Sequence, residues 1–379
     1  MKTVLVLIGT RPEAIKLAPV IHSLRRCSGL RHLVVSTGQH KEMMGEIFER
    51  FSIAPDQELS SMRAGQSLSE LTARLASGLD AAFGQQDVDF CLVQGDTTTT
   101  LVGSLVAFYR RVPVGHVEAG LRTGDLTAPF PEEANRRMVT QIATLHFAPT
   151  EMARNNLVRE GVEPRQVFVT GNTSIDALRM ELARQDRDDV NIRNDLSSRL
   201  GAEALKRPYV LITGHRRENF GRGFDEICDA ILDLSLEFPD HDFIYPVHLN
   251  PSVQVPVRTR LGGLPNLKLL APLGYSEFVT LMRHCRLVLT DSGGIQEEAP
   301  GLGKPVLVMR DKTERPEGLL AGTVRLVGAD RSRIVEAVGR LLRDEQEYEY
   351  MARATNPYGD GLAAERIVAA VAAHLAEGS

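Results

Sequence analysis

Apolar residues in this chain form short continuous runs that alternate with longer amphipathic segments. The runs are rich in Val, Ile, Leu and Phe, which is typical of parallel strands buried on both faces of a sheet. The longer segments, such as residues 67–83 and 276–285, have the apolar spacing of helices. The predicted strands are residues 2–9, 32–38, 88–96, 112–119, 145–148, 167–171, 209–214, 242–247, 267–270, 287–291, 305–309 and 324–327.

This alternation of strands and helices predicts an α/β fold with right-handed crossovers. Residues 186–195 interrupt it because they are polar, charged and poor in apolar side chains, and we interpret them as a linker or an exposed helix end. A fresh set of strands follows Lys206. We therefore expect two similar domains, residues 1–175 and 176–357. A last helix within residues 358–379 could pack on either domain, the first included.

Composition and charge limit the kinds of partner and compartment expected for this protein. The chain has 379 residues, enough for two cores, and a net charge of −5 that argues against a nucleic-acid partner. Its four cysteines form no C-x-x-C pair, which is typical of a thiol protein in a reducing compartment. The apolar run at the N-terminus is too short to span a bilayer. We therefore expect a cytoplasmic protein with no membrane partner.

The segment "GTRPEAIK", which follows the first strand, has the residues of an anion-binding helix start. Thr10 could cap a helix, and Pro12 suits its first turn. Arg11 and Lys16 would add positive charge where the helix dipole already favours an anion. A simple helix start is the alternative, and no G-x-G-x-x-G dinucleotide motif is present.

Carboxylates follow the next buried strands. Asp96 in "QGDTTTT" ends the third predicted strand, where an Asp is often catalytic but can also cap a helix. The fourth strand leads into "GHVEAGLRTGDLTAPFPEEANR", residues 115–136, which includes Glu118 and Glu132. A solvated loop is one interpretation of that stretch. Two carboxylates directed into a ligand cleft is the other.

The second half of the chain has two segments suited to phosphate. "TGHRRENFGRG" places His215 and two arginines in a glycine-containing loop after a strand, as suits a diphosphate. In "TDSGGIQEEAPGLGKP", residues 292–294 predict a tight turn that opens a helix, with backbone amides available to phosphate. Glu297 and Glu298 follow on that helix, and one of them could accept the two hydroxyls of a ribose.

Two other kinds of chemistry are poorly supported. The histidines are scattered and the cysteines do not cluster, so the sequence predicts no metal site. The G-x-S-x-G elbow of a serine hydrolase is also missing from the sequence.

Together these segments resemble the bacterial non-hydrolysing UDP-N-acetylglucosamine 2-epimerases. The resemblance runs over nearly the whole chain, to "NPYGDG" near its end. It implies two Rossmann-like domains of the glycosyltransferase-B type with the active site in the cleft between them, and a homodimer. It also implies interconversion of UDP-N-acetylglucosamine and UDP-N-acetylmannosamine, without a cofactor, for the synthesis of surface polysaccharides. The segments that carry it are "GTRPEAIKLAPV", "GDTTTTL", "GHVEAGLRTGDLTAPFPEEANR", "TGHRRENFGRG" and "TDSGGIQEEAPGLGKPVLVMRDKTERPE".

The resemblance also implies roles for particular residues. Asp96, Glu118 and Glu132 are the expected acid/base group at C2 of the sugar, and it stays open which carboxylate serves which face. His215 is expected beside the leaving diphosphate. Phe278 is expected to line the uracil pocket, where backbone amides would read the base edge. The other residues expected to bind the UDP-sugar are Arg11, Lys16, Ser292, Gly293, Gly294, Glu298 and Arg315.

Some members of this family bind a second UDP-N-acetylglucosamine as an activator. "GQHKEM", with Gln39 and His40, resembles part of that site, although Gly65 stands where activator-dependent members carry Arg. We expect structural roles for Asp125, which could cap a turn, and for Glu133, which could begin a helix over residues 131–144.

Three alternatives share the nucleotide motifs. A hydrolysing 2-epimerase would release free N-acetylmannosamine and UDP. A glycosyltransferase would use the same two-domain fold with an acceptor surface, and a sensor would bind the nucleotide sugar without turnover. The intact stretch "EAGLRTGD…PEEANR" favours the non-hydrolysing epimerase.

Overall fold

The computed structural model describes residues 1–38, 41–61, 63, 65–200 and 205–377. All twelve predicted strands are present, with ends that lie within two residues of the predicted ones. Strand β3, which has only two residues, was not predicted because two residues show no pattern. The strands are β1 (Lys2–Ile8), β2 (Leu30–Ser36), β3 (Gln57–Glu58), β4 (Phe90–Gln94), β5 (Val114–Val117), β6 (Leu145–Ala148), β7 (Val167–Val169), β8 (Tyr209–Thr213), β9 (Asp242–Pro246), β10 (Leu267–Leu270), β11 (Leu287–Thr290), β12 (Val306–Val308) and β13 (Val324–Leu326).

Helices connect consecutive strands, as expected for an α/β fold. The helices are α1 (Arg11–Arg26), α2 (Lys41–Arg50), α3 (Leu68–Gly84), α4 (Thr98–Tyr109), α5 (Glu132–Ile142), α6 (Glu151–Arg159), α7 (Thr173–Leu200), α8 (Arg222–Glu237), α9 (Pro251–Leu261), α10 (Tyr275–His284), α11 (Gly293–Glu298), α12 (Pro316–Ala321), α13 (Arg331–Arg343), α14 (Glu345–Ala352) and α15 (Ala363–Glu377). Within the described parts of the chain, none of them combines the length and apolar character needed to cross a membrane.

Two parallel sheets organise the chain. The first has the strand order β3-β2-β1-β4-β5-β6-β7 and the second has the order β10-β9-β8-β11-β12-β13. All their neighbouring strands pair in parallel. The direction of winding changes between β1 and β4, and again between β8 and β11, and ligands bind at such points in open α/β sheets. These are two Rossmann-like folds, which confirms the predicted fold class.

Each sheet belongs to one compact unit. The first unit comprises Met1–Arg179 together with the segment that begins at Tyr358, and the second comprises Met180–Pro357. Helix α15 therefore belongs to the first unit, where it packs on α1. Phe90 of β4 contacts His374 of α15 edge to face, with ring centroids 5.7 Å apart.

The linker interpretation of residues 186–195 was wrong, because these residues lie inside helix α7. Ile192, Leu196 and Leu200 are spaced by four residues, which places them on one face of a helix. All three are buried, at 9%, 0% and 8% exposure. One apolar residue per turn was enough to hold the helix, and the charged residues between them concealed this pattern.

The central strands explain the continuous apolar runs of the sequence. Every residue of Val4–Ile8 in β1 and of Phe90–Val93 in β4 is at most 2% exposed. Such strands have helices on both faces, so both sets of alternating side chains are apolar. The charged side chains of the candidate site lie at the carboxyl ends of the strands.

Candidate active site

The turn between β1 and α1 is tied to the start of α4 by a residue that the sequence analysis did not single out. Thr10 is the N-cap of α1, and Pro12 lies in its first turn, as predicted. Glu13 is buried, and its carboxylate accepts hydrogen bonds from the N–H groups of Gly9 and Thr10, at 2.6 and 2.7 Å. It also accepts one from the Thr97 hydroxyl at 2.5 Å. Burial raises the pKa of Glu13, and these hydrogen bonds oppose the rise.

Asp96 lies in the turn between β4 and α4, and it is not the helix cap. Thr97 caps α4, because its side chain accepts a hydrogen bond from the N–H of Thr100. The Asp96 carboxylate pairs instead with Arg136, and its backbone carbonyl accepts a hydrogen bond from Asn135 Nδ2 at 2.9 Å. Its side chain is 27% exposed. Helix α5 thus positions Asp96 through two consecutive residues and leaves part of its carboxylate open.

Arg136 is held in turn by Glu133, which is fully buried. Glu133 accepts hydrogen bonds from Arg136 at 2.7 Å and from the backbone N–H groups of Thr123 and Gly124 at 3.1 and 3.3 Å. Burial lowers the pKa of Arg136, but its pairing with Asp96 and Glu133 outweighs burial and raises it. Glu133 lies in the first turn of α5, as expected, and its carboxylate also holds Arg136 and the loop before the helix.

Asp125 also has the structural role expected of it. Its side chain accepts hydrogen bonds from the N–H and the hydroxyl of Thr127, at 2.9 and 2.6 Å, which closes a turn in the loop before α5.

Glu118, directly after β5, has an unusual backbone conformation. Its φ is 65°, in the left-handed region that non-glycine residues rarely occupy. Its carboxylate pairs with the Lys16 ammonium and accepts a hydrogen bond from Gln94 Nε2 at 2.9 Å. The side chains of Lys16 and Glu118 are only 9% and 7% exposed. Strained backbone of this kind is concentrated at functional sites, where surrounding contacts hold a side chain in place.

Glu132 is the first residue of α5. Its Oε2 is buried and makes no hydrogen bond to any described residue. An unsatisfied buried carboxylate oxygen is costly in a folded protein, so such an atom is expected to have a ligand or water as its partner.

The three predicted carboxylates therefore lie beyond the carboxyl ends of neighbouring strands in the first sheet. Asp96 follows β4, Glu118 follows the adjacent β5, and Glu132 opens the helix that also holds Asp96. Two of the three have a fixed cation as partner, Arg136 or Lys16. Lys16 was expected to bind an anionic ligand, and in the structure its ammonium already pairs with Glu118.

At the carboxyl ends of the second sheet, His215 follows β8 and Asp291 follows the adjacent β11. Asp291 is fully buried and accepts hydrogen bonds from the N–H groups of His215 and Arg216, both at 2.8 Å. Burial lowers the pKa of His215, which Asp291 partly opposes. The Nε atom of Arg216 is buried without a hydrogen bond to any described residue. Asp291 was not predicted as a site residue, although it ends a buried strand in the same manner as Asp96.

The predicted phosphate turn, residues 292–294, opens α11, with Ser292 as its N-cap. A Cβ atom on Gly293 would lie 2.5 Å from Arg315 Nη1, so a larger residue would displace the Arg315 guanidinium from this turn. Arg315 is buried and pairs with Glu297, at 2.6 Å, and with Glu314. Burial raises the pKa of Glu314, but Arg315 and Arg310 lower it more strongly. Arg315 therefore lies beside the turn, with its charge balanced by protein carboxylates.

The remaining predicted residues are less constrained. Glu298 is half-buried beside the fully buried Glu297, which supports Glu298 rather than Glu297 as the ribose ligand. Phe278 is half-buried on α10, and its own N–H donates to the Gly274 carbonyl at 3.0 Å. That amide is used within the helix, so other backbone amides would have to read the base edge. Arg11 is half-buried and has no ion pair with a described residue.

Two further predictions concern the activator site and bound metals. Gln39 and His40, the expected activator residues, lie outside the described residues. For metals, the described residues contain no group of three or more His, Cys, Asp and Glu side chains placed to hold an ion.

Comparison with known proteins identifies the family. The profile described as UDP-N-acetylglucosamine 2-epimerase matches residues 22–372. The chain is 54% identical to the UDP-N-acetylglucosamine 2-epimerase of Escherichia coli strain K12 over 368 residues, which cover 97% of this chain and 98% of the relative. Its fold matches the crystal structure of UDP-GlcNAc 2-epimerase from Neisseria meningitidis bound to UDP-GlcNAc, with a TM-score of 0.93 and 45% identity. The match covers 98% of this chain and 100% of that one.

A second solved structure, the S. aureus MnaA–UDP co-structure, matches with a TM-score of 0.91 and 41% identity, and covers 99% of this chain and 97% of that one. These matches extend over both sheets and over the carboxylate and phosphate segments described above. The chain belongs to the UDP-N-acetylglucosamine 2-epimerase family.

Proposed function

We propose that the protein interconverts UDP-N-acetylglucosamine and UDP-N-acetylmannosamine by inverting C2 of the sugar. The observation that carries this proposal is the set of three carboxylates beyond the carboxyl ends of strands in the first sheet. Asp96 and Glu118 are each oriented by a fixed cation, and Glu132 directs a buried oxygen that lacks a partner among the described residues. A module that only binds nucleotide sugars would not need three such groups.

The chemistry of the sugar explains why several carboxylates are needed. The C2 hydrogen is not acidic, since no carbonyl group stands next to C2. If the C1–O bond to UDP breaks as a base removes that hydrogen, a C1–C2 double bond forms and 2-acetamidoglucal remains. UDP then adds back to C1 while an acid protonates C2 from the opposite face. Proton donors and acceptors on both faces of C2 are therefore required.

The second unit supplies the groups for UDP. His215 and Arg216 would face the diphosphate, which also would accept hydrogen bonds from the amides of the turn at residues 292–294. Glu298 would accept the ribose hydroxyls, and Phe278 would line the base pocket. Arg11 of the first unit would add positive charge, whereas Lys16 would serve to hold Glu118, with which it pairs. That the site lies between the two domains stays a prediction, and no cofactor enters this reaction.

The decisive experiment is proton NMR of UDP-N-acetylglucosamine incubated with the protein in D₂O, without metal or nicotinamide. We expect UDP-N-acetylmannosamine to appear, with deuterium at C2 of both epimers. Free N-acetylmannosamine as the main product would instead establish a hydrolysing epimerase. An unchanged spectrum, in a sample shown to bind UDP and supplied with excess UDP-N-acetylglucosamine as activator, would refute the proposal.

We also propose that two copies of the chain associate through the first unit. Helices α4 and α5 pack together there. Phe108, Tyr109 and Met138 on these helices are 58%, 71% and 46% exposed. The rings of Phe108 and Tyr109 lie together, with centroids 6.3 Å apart, and exposed apolar side chains that lie together are typical of a protein interface. Light scattering should give the mass of a dimer, and a mass of about 42 kDa, the mass of one chain, would refute this proposal.

We further propose that the protein works in a reducing compartment, the cytoplasm, and contributes a nucleotide sugar to surface polysaccharide synthesis. All four cysteines are free thiols, and three of them are buried. Disulfide-free chains are typical of reducing compartments. Fractionation of the producing cells would test the location, and recovery of the protein outside the cytoplasmic fraction would contradict it.

A further inference from the structure

His215 and Asp291 follow neighbouring strands of the second sheet, since β8 and β11 pair up to Thr213 and Thr290. One oxygen of Asp291, Oδ2, accepts the backbone N–H groups of His215 and Arg216. The other, Oδ1, is buried and lies 3.4 Å from Nδ1 of the His215 ring. One carboxylate therefore shapes the loop with one oxygen and faces the imidazole with the other.

We infer that Asp291 is a positioning residue that sets the tautomer and orientation of His215. A carboxylate oxygen only accepts hydrogen bonds, and the buried Oδ1 has no hydrogen-bond partner among the described residues, so the hydrogen of the neutral ring belongs on the Nδ1 that faces it. Nε2 is then the nitrogen presented to a ligand. The inference deepens the proposed function, on which it rests for the role of His215 beside the diphosphate.

Contacts on the face of the ring limit its rotation. His248, in the loop after β9, stacks on His215 with ring centroids 5.3 Å apart and an angle of 17° between the planes. Together with Asp291 at the ring edge, this contact leaves the imidazole one preferred orientation.

The groups around His215 also affect its protonation. Burial lowers its pKa, and Arg216 and His248 lower it further, whereas Asp291 raises it. Asp291 is thus the one group among those acting on the ring that favours imidazolium. Imidazolium carries a hydrogen on Nε2 as well as on Nδ1, so it can donate a hydrogen bond to the diphosphate oxygen as the C1–O bond breaks.

Substitution of Asp291 by Asn gives a sharp test, because the loop decides how the new side chain must lie. The N–H groups of His215 and Arg216 require an acceptor where Oδ2 was, so the amide oxygen of Asn takes that position. The NH₂ group then faces Nδ1 of His215. Two donors cannot face each other, so the hydrogen of the neutral ring moves to Nε2.

The measurement is long-range ¹H–¹⁵N correlation NMR on protein labelled in its histidines, with His215 assigned from a His215→Gln variant. At pH 8 we expect Nδ1 to carry the hydrogen in the parent protein and Nε2 to carry it in Asp291→Asn. The pKa of His215 should also fall in that variant. The matched control is Asp242→Asn, since Asp242 is a buried carboxylate of the same unit that pairs with Arg207.

The loss of the Asp291 carboxylate should also slow turnover. We expect Asp291→Asn to lower kcat by about 10²-fold or more, as for loss of a general acid, with UDP affinity changed by less than about 3-fold. The double variant Asp291→Asn/His215→Gln should turn over no more slowly than His215→Gln alone, because groups that act as one unit are not additive.

An Nε2–H tautomer in the parent protein would overturn the inference, even if the Asn variant failed to fold. An unchanged tautomer in Asp291→Asn, or additive losses in the double variant, would overturn it as well. The NMR result does not depend on turnover, so failure of the proposed epimerase activity would be recognised separately.

Discussion

Two buried histidines should make the first unit sensitive to mild acid. His116 of β5 and His146 of β6 are register partners in the first sheet, at 0% and 1% exposure. Burial lowers the pKa of His116 to about 3, although its hydrogen bond to the Gly95 carbonyl opposes this, and burial lowers that of His146 to about 4. In an unfolded chain both would titrate near their ordinary value of about 6.5.

The sign and size of the effect follow from these values. Below about pH 6.5 the unfolded chain binds two protons that the folded chain does not bind until the pH approaches 4. Their contribution to folding stability is therefore constant above about pH 6.5 and falls as the pH decreases through this window. At pH 5 each histidine lies about 1.5 pH units below its unfolded pKa, and at about 1.4 kcal/mol per unit each costs about 2 kcal/mol. Relative to pH 7.5, the pair costs about 4 kcal/mol.

The assay is urea unfolding at pH 7.5 and pH 5, followed by circular dichroism, for the parent and for His116→Gln and His146→Gln. Each substitution should reduce the loss of unfolding free energy between the two pH values by about 2 kcal/mol, whatever it costs at pH 7.5. His284→Gln, at an exposed position of α10, is the control for removal of an imidazole. If the parent and both buried variants lose the same free energy, burial does not hold these rings neutral and the reasoning fails.

Three further substitutions test other parts of the site. Gly293→Ala should weaken UDP binding at least tenfold by calorimetry, because its Cβ would lie 2.5 Å from Arg315 Nη1 and displace that buried guanidinium; unchanged binding would contradict the steric argument. Glu118→Ala should lower C2 exchange in D₂O by about 10²-fold or more while UDP binding persists, and unchanged exchange would remove Glu118 from the acid/base group. Arg136→Met should destabilise the protein by about 2 kcal/mol or more in urea unfolding, because the buried Glu133 would lose its buried partner and keep only Arg137, which is 40% exposed and lies 3.3 Å away; a cost below about 1 kcal/mol would show that Glu133 does not depend on Arg136.

Much of the fold was predictable because its cause is local. A strand covered on both faces is largely apolar on both, so the apolar runs within residues 88–96 and 209–214 indicated parallel sheets. Errors occurred where the local pattern was weak. The two residues of β3 have no pattern of their own, and charged residues concealed the one apolar residue per turn in the second half of α7.

The position of the candidate site residues was predictable, because carboxylates and glycine-containing turns at the ends of buried strands are visible in the sequence itself. Long motifs added specific roles for Asp96, Glu118 and Glu132. The tautomer of His215 and the partners of those carboxylates were not predictable, since they depend on side chains far away in the chain.

The sequence by itself determined which segments form strands and helices and which strand ends carry acids, bases and phosphate-binding turns, because these features depend on residues close together in the chain. Only the tertiary structure decided which charges meet. Lys16 pairs with Glu118 and Arg136 with Asp96, and Asp291 faces His215, across separations of 102, 40 and 76 residues. Sheet order brings these residues together, and strand order depends on how helices pack on the whole sheet, which no single segment specifies.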